Sequence, residues 1–338
     1  MTSRILLLCG LFCSLFFSCK NDSKPASANE TQIDPELAAL NISLEKNPNN
    51  DSLLYRRAGV YYKLDGYDEA LKDITHAIQL DSMQPAYYHL MADVLLDYAR
   101  PNDSRRAINV LQLAASKFPD NIHTLLKLSE FQLIVKQHGD ALITLDKILR
   151  RDPQNAEAFY MAGRIALDKG DTTAAIASLQ KSVKLDATND DAWMFLGRIF
   201  TNRNNPLALQ YFDNVLRLDS TNLEAREFKG AFYKRRGEFD KAFGVYRDIV
   251  ARNPDYSNAW FDMATIYLEQ DSFSKAYEHF DIAVKTDPLF VKAYYYRGLC
   301  AELQGNTDAA LADYKQANGM SPEYQEAKEA LDRLGKKQ

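Results

Sequence analysis

The sequence predicts an all-α solenoid, a single array of stacked helical hairpins, and three observations carry that prediction. Eight alanines, Ala70, Ala107, Ala141, Ala175, Ala208, Ala242, Ala276 and Ala310, recur at spacings of 37, 34, 34, 33, 34, 34 and 34 residues, with helix-like sequence between them. When each is counted as the twentieth residue of a unit, the eighth place is small every time: Ala58, Ala92, Ser129, Gly163, Gly197, Gly230, Ala264 and Gly298. Pro119, Pro153, Pro254, Pro288 and Pro322 stand at the joints between units, where a first helical turn tolerates a missing N–H, and Gly170, Gly237 and Gly305 mark the turn inside the hairpin. A period of this length means one supersecondary unit stacked on its copies, because a lone hairpin cannot bury its own apolar face.

Length alone, 338 residues, would allow two or three globular domains, but the period argues for one structural domain. A hydrophobic content of 46% with 26% charged residues is ordinary for a folded chain. The net charge of −5 leaves no excess of cations to grip phosphates, so nucleic acid is not an expected partner.

Taken in order, residues 1–18 read as a secretory signal: Arg4 precedes an apolar run from Ile5 to Phe17, too short to span a bilayer. Three of the four cysteines, Cys9, Cys13 and Cys19, lie in or directly after it, which leaves Cys300 alone in the body and no disulfide expected among the repeats. The stretch Leu15-Phe16-Phe17-Ser18-Cys19 resembles the lipobox of bacterial lipoproteins, and that resemblance implies lipidation at Cys19. A competing reading cleaves at Ala26-Ser27-Ala28, although the polar run through Lys20, Asn21, Asp22 and Lys24 separates that site from the apolar segment. Residues 19–32 are too polar to order themselves and read as a tether. Lys20-Asn21-Asp22 is similar to the sorting segments of Bacteroidetes-type lipoproteins, which implies export and outer-membrane anchoring, facing the periplasm or the cell surface.

Residues 33–50 form an N-terminal capping helix, begun by Asp34-Pro35, with Leu37, Leu40 and Leu44 on one face. Eight units follow over 51–84, 85–121, 122–155, 156–189, 190–222, 223–256, 257–290 and 291–324. Large residues of their second helices, including Leu111, Leu145, Phe212, Tyr246, Phe280 and Tyr314, are expected to pack on the first helices of the same and the next unit. The second unit gains three residues around Tyr98-Ala99-Arg100-Pro101-Asn102-Asp103 and the fifth loses one near Asn204-Asn205-Pro206; both turns are candidate accessory contacts. Ile148, Val215 and Ile249 stand where other units carry a second small residue, so a slight splaying of the central hairpins is expected. Residues 325–338 close the array with Ala327, Ala330, Leu331 and Leu334 at helical spacing.

This pattern resembles the tetratricopeptide repeat over residues 51–324, most fully in the seventh unit, with Trp260, Ala264, Tyr267, Ala276, Phe280, Ala283 and Pro288. The resemblance implies a right-handed superhelix whose first helices line a concave groove, chiefly through the second, fifth, ninth, twelfth and thirteenth places. Carried over, it puts Tyr55, His89, Leu126, Tyr160, Met194, Glu227, Phe261 and Tyr295 at the fifth place. The family's carboxylate clamp for chaperone tails needs Lys there and Asn at the ninth; no fifth place is Lys, and the ninth places are Gly59, Asp93, Glu130, Arg164, Arg198, Ala231, Thr265 and Leu299. A chaperone C-terminus is therefore not the expected ligand.

The candidate groove consists of aromatic ends, Tyr55 with Tyr62 and Phe261 with Tyr295, around a middle that adds His89, Tyr160, Met194, Arg164, Arg198, Lys234 and Arg235. Aromatic and arginine residues dominate protein interfaces, so a protein or peptide partner is expected. Two readings of the cations stay open: Arg164 pairs with Asp168 and Arg198 with Asp191 or Glu227, or both bind an acidic segment of the partner. His89, Asp93, His123 and Glu130 form a candidate divalent-ion site, and a glycan is a further alternative occupant. The sequence holds no G-x-S-x-G, H-E-x-x-H, Walker loop, G-x-G-x-x-G or C-x-x-C, so neither an enzyme nor a cofactor is expected. The reading is a scaffold or adaptor of the bacterial envelope, in secretion, pilus, peptidoglycan or outer-membrane assembly.

Overall fold

The structure, a computed structural model, describes residues 34–335. The signal, the tether and Cys19 lie outside the described residues. Within them the chain forms helices and no strands. A single helix, α1 (Pro35–Lys46), precedes the pairs α2 (Asp51–Lys63) with α3 (Tyr67–Leu80), α4 (Pro85–Tyr98) with α5 (Asp103–Lys117), α6 (Ile122–Ile134) with α7 (His138–Arg151), and α8 (Ala156–Asp168) with α9 (Thr172–Leu185). The series continues with α10 (Asp190–Asn202) and α11 (Leu207–Leu218), α12 (Leu223–Arg235) and α13 (Phe239–Arg252), α14 (Ser257–Glu269) and α15 (Phe273–Thr286), and α16 (Val291–Leu303) and α17 (Thr307–Met320). One more helix, α18 (Gln325–Gly335), packs on α17.

Helix starts follow from local chemistry. Asp34 Oδ1 accepts from the Glu36 and Leu37 amides ahead of Pro35. Asn50, Asn121, Asn155, Asn189 and Asn222 each cap the first helix of a hairpin, their Oδ1 accepting an amide of the first turn that has no helical partner. Place-four aromatics brace three joints: Tyr88 Oη donates to the Ser82 carbonyl, Trp193 Nε1 to Ala187 and Trp260 Nε1 to Pro254, each six residues back.

Inside every hairpin the fifteenth residue takes a left-handed backbone. Gly170, Gly237 and Gly305, in the turn the sequence assigns them, do so at φ +78°, +71° and +81°, and Asp65, Ala99, Lys136, Asn204 and Asp271 adopt it without being glycine. The turn is dictated by helix packing, so the five non-glycine residues accept a conformation disfavoured for L side chains.

The small eighth place exists because the twenty-fourth is large. A Cβ on Gly197 would lie 2.4 Å from Phe212, one on Gly230 2.5 Å from Tyr246, and one on Gly163 2.7 Å from Leu179. Leu111, Leu145, Phe212, Tyr246, Phe280 and Tyr314 are all fully or almost fully buried, as expected of the core. Ile148, Val215 and Ile249 are also fully buried, and the α7–α8 seam, where Ile148 stands, packs least extensively of the joints between consecutive hairpins.

Each second helix packs on the first helix of the next hairpin, and first helices also touch one another, α2 with α4, α4 with α6, α6 with α8, α10 with α12 and α12 with α14. Second helices do not meet to the same extent. Stacked pairs that converge on one side curve toward that side, so the first helices form the inner face.

Candidate partner-binding groove

Two clefts open on the inner face. The larger, about 490 Å³, lies between α4 and α6 and is lined by Tyr55, His89, Leu90, Asp93, His123 and Lys127 among others. The second, about 400 Å³, is lined by Leu133, Ile134, Lys136, Arg164, Leu167, Asp168 and Phe195 from α6, α8, α10 and the turn after α6.

In the first cleft His89 is buried, and its Nε2 lies 2.8 Å from Thr124 Oγ1. Burial, together with the nearby His123 and Lys127 charges, pushes its pKa down to about 4. The His89 and His123 rings meet edge to face at 4.9 Å. Asp93 instead takes Lys127 at 2.7 Å, and burial still raises its carboxyl above the ordinary range. Glu130 takes Arg164 at 3.5 Å. The candidate set His89, Asp93, His123 and Glu130 is therefore not brought together as a metal site: its carboxylates are spent on neighbouring cations, and the described residues hold no group of three or more such side chains fit for an ion.

The two expected ion pairs of the middle, those of Arg164 and Arg198, do not form. Asp168 is occupied by Lys136 and by His138, whose Nε2 lies 2.5 Å away, so Arg164 reaches back across the seam to Glu130 and lies over the Tyr160 ring. Its partner is thus one hairpin back rather than one turn along. Lys234 pairs with Asp262 at 2.6 Å and donates to Thr265. Arg235 donates to the Thr201 and Asn202 carbonyls at the end of α10. Arg198 pairs with neither Asp191 nor Glu227; its guanidinium lies 5.9 Å from the Phe195 ring centroid and 5.2 Å from that of Phe228.

The fifth-place residues sit deeper than the groove reading supposes. Tyr160 and Met194 are buried along with His89, so they floor the inner face and offer little surface to a ligand. Tyr160 Oη reaches toward Asp191 at 3.4 Å, and burial holds its phenol protonated well above the ordinary range. Glu227 accepts from Tyr256 Oη at 2.5 Å, while burial raises its pKa. At the N-terminal end Tyr55 stacks on Tyr87 at 5.0 Å, whereas Tyr62 packs on Tyr67 and donates to Asp97, so the two do not form one platform. At the other end Phe261 packs among Phe280, Phe290 and Tyr296, and Tyr295 bridges Tyr296, Tyr314 and Tyr324. These two share Tyr296 as a neighbour and make one half-buried aromatic cluster.

The insertion of the second unit is not a free contact. Tyr98 stacks on Tyr67 at 5.0 Å and donates to Asp68 at 2.7 Å, while Arg100 covers the Tyr98 ring and pairs with Asp68 at 3.1 Å. It folds back onto the turn of the preceding hairpin. The sequence holds no signal for such cross-unit pairs, since partners about thirty residues apart become neighbours only through the angle between hairpins.

A stack of paired helices with an inner face built from first helices defines an interaction-scaffold class. Family comparison agrees: the tetratricopeptide repeat model matches residues 136–192, 160–222, 200–257 and 261–325, more than half of the chain, which therefore belongs to the tetratricopeptide repeat family. Among curated proteins, a DnaJ homolog subfamily C member 7 homolog of Dictyostelium discoideum is 21% identical over 277 residues, covering 77% of this chain and 49% of that one. The chain spans less than two thirds of the length of the curated relatives it matches first. Among solved structures, a tetratricopeptide repeat protein of Parabacteroides merdae superposes with a TM-score of 0.56 at 20% identity, over 73% of this chain and 98% of that one. PilW, described as a type IV pilus biogenesis factor, gives 0.53 at 19% identity over 63% and 99%. These similarities concern the fold.

Proposed function

We propose that this chain is a lipid-anchored scaffold of a bacterial envelope, held by acyl chains on Cys19 and a tether reaching to residue 32, which presents its inner face to a protein partner of an assembly or secretion complex. The reading rests chiefly on one observation: the inner face keeps an open cleft of about 400 Å³ with an apolar floor of Leu133, Leu167 and Phe195 beside the half-buried Arg164. A preformed groove lets a partner segment order at modest entropic cost, with no bond made or broken. No described helix is long and apolar enough to cross a membrane, so the anchor in this reading is the lipid.

Two measurements test the two halves separately. A photo-crosslinking amino acid placed at Ile134, on the inner face, is expected to trap a defined protein in cells, and the same probe at Ile143, on α7, is not; equal products from both sites would remove the groove. Metabolic labelling with palmitate should be lost in Cys19→Ser, and retained label would remove the anchor.

A further inference from the structure

On the outer face the helices that flank each first helix stand apart, and in three places cations on the first helix span the gap. Arg57, at the seventh place of α2, holds Asn41 of α1 at 2.9 Å and Asp73 of α3 at 2.6 Å. Arg297, at the seventh place of α16, holds Asp281 of α15 and Asp313 of α17, each at 2.6 Å. On α12, Lys229 takes Asp213 of α11 and Arg226 takes Asp248 of α13. Over α6 the seventh place is Leu128, no such bridge forms among the described residues, and a furrow of about 340 Å³ stays open between α5 and α7. Gln132 lines it at the eleventh place, which in the other hairpins is Tyr61, Leu95, Ala166, Phe200, Tyr233, Tyr267 and Ala301. Gln132 is only 3% exposed. Thr144 Oγ1 lies 2.9 Å from its Oε1 and fixes that end of the amide, while Nε2 has no hydrogen-bond partner among the described residues. A buried amide met at one end costs stability unless something in the furrow completes it. The walls add Gln112 from α5 and Asp140 and Lys147 from α7, whose side-chain polar atoms also have no partner among the described residues.

We propose that this outer furrow binds an uncharged polyhydroxylated ligand, a sugar unit, whose hydroxyls complete Gln132 and engage Gln112, Asp140 and Lys147. The site is separate from the inner face and does not rest on the scaffold reading. A hydroxyl both donates and accepts, so neighbouring hydroxyls of one sugar satisfy an amide, a carboxylate and an ammonium together. An anion drawn to Lys147 meets Asp140, and a cation drawn to Asp140 meets Lys147, so the furrow favours a ligand without net charge. Leu128 below and Ile143 on the rim, 60% exposed, offer an apolar surface to the C–H face of the ring. The volume lies at the small end of ligand sites, roughly 300–1,000 Å³, which suits a single ring.

The test reads a printed array of neutral, anionic and cationic oligosaccharides with the purified full chain, then titrates the leading sugar by calorimetry. Neutral sugars are expected to be retained in preference to charged ones. Gln132→Leu, which installs the residue of the second hairpin at this place, should weaken the leading sugar by about tenfold, and Gln112→Ala on the opposite wall by a few fold. Gln79→Leu on α3, outside the furrow, should leave affinity unchanged. Circular dichroism checks that each variant is helical, and if Gln132→Leu is not, Gln112→Ala alone decides. An array that retains no neutral sugar, a preference for charged ones, or an affinity indifferent to the furrow variants overturns this site and leaves the scaffold reading standing.

Discussion

Gly197 shows most directly what a single atom does in this chain. Phe212 occupies the volume of its missing Cβ, so Gly197→Ala forces a fully buried ring to move and is expected to cost about 1–3 kcal/mol. The first three hairpins set Ala58, Ala92 and Ser129 against Ile74, Leu111 and Leu145, which identifies the compensation: Gly197→Ala with Phe212→Leu should recover part of the loss in urea denaturation. An unchanged midpoint in the single variant would refute the close approach. At the hairpin turn the expectation has the opposite sign. Ala99 holds φ at +52°, where a Cβ costs roughly 1 kcal/mol, so Ala99→Gly should raise the midpoint even though glycine loosens the unfolded chain.

At the scale of elements, the seam between α4 and α6 carries a pH dependence. His89 is neutral in the folded chain down to about pH 4, because burial and the His123 and Lys127 charges oppose its protonation. In the unfolded chain it takes a proton below about pH 6.5, so the unfolded state binds more protons between the two values and stability falls as pH falls through that window. The loss should reach on the order of 2–3 kcal/mol at pH 4.5. His89→Gln keeps a side chain able to reach Thr124 and removes the titration. Denaturation midpoints of the two proteins at pH 7 and pH 4.5 check it: the wild type should lose more stability on acidification, and parallel profiles would exclude His89 as the source.

For the whole molecule, stacking without closure predicts an elongated particle. Each hairpin touches its immediate neighbours, so small-angle scattering should give a radius of gyration well above the ~20 Å of a compact domain of similar length. The same linear arrangement makes damage local. Hydrogen exchange in Gly197→Ala should quicken in α10, α11 and the helices beside them before it changes in α2 or α17.

How much of this was legible in advance depends on whether the interaction lies within a hairpin or across one. Ala70 and its seven counterparts, the glycines opposite Phe212 and Tyr246, and the left-handed turns at Gly170, Gly237 and Gly305 are set by spacing within one unit, where helical geometry fixes which side chains meet. The sequence by itself therefore determined the repeat and its core. Arg164 with Glu130, Tyr98 on Tyr67, the depth of Tyr160 and Met194, and the lack of a carboxylate at Arg198 were decided only by the tertiary structure. Those depend on how each hairpin is rotated against the next, an angle set by many side chains at once and written in no single residue.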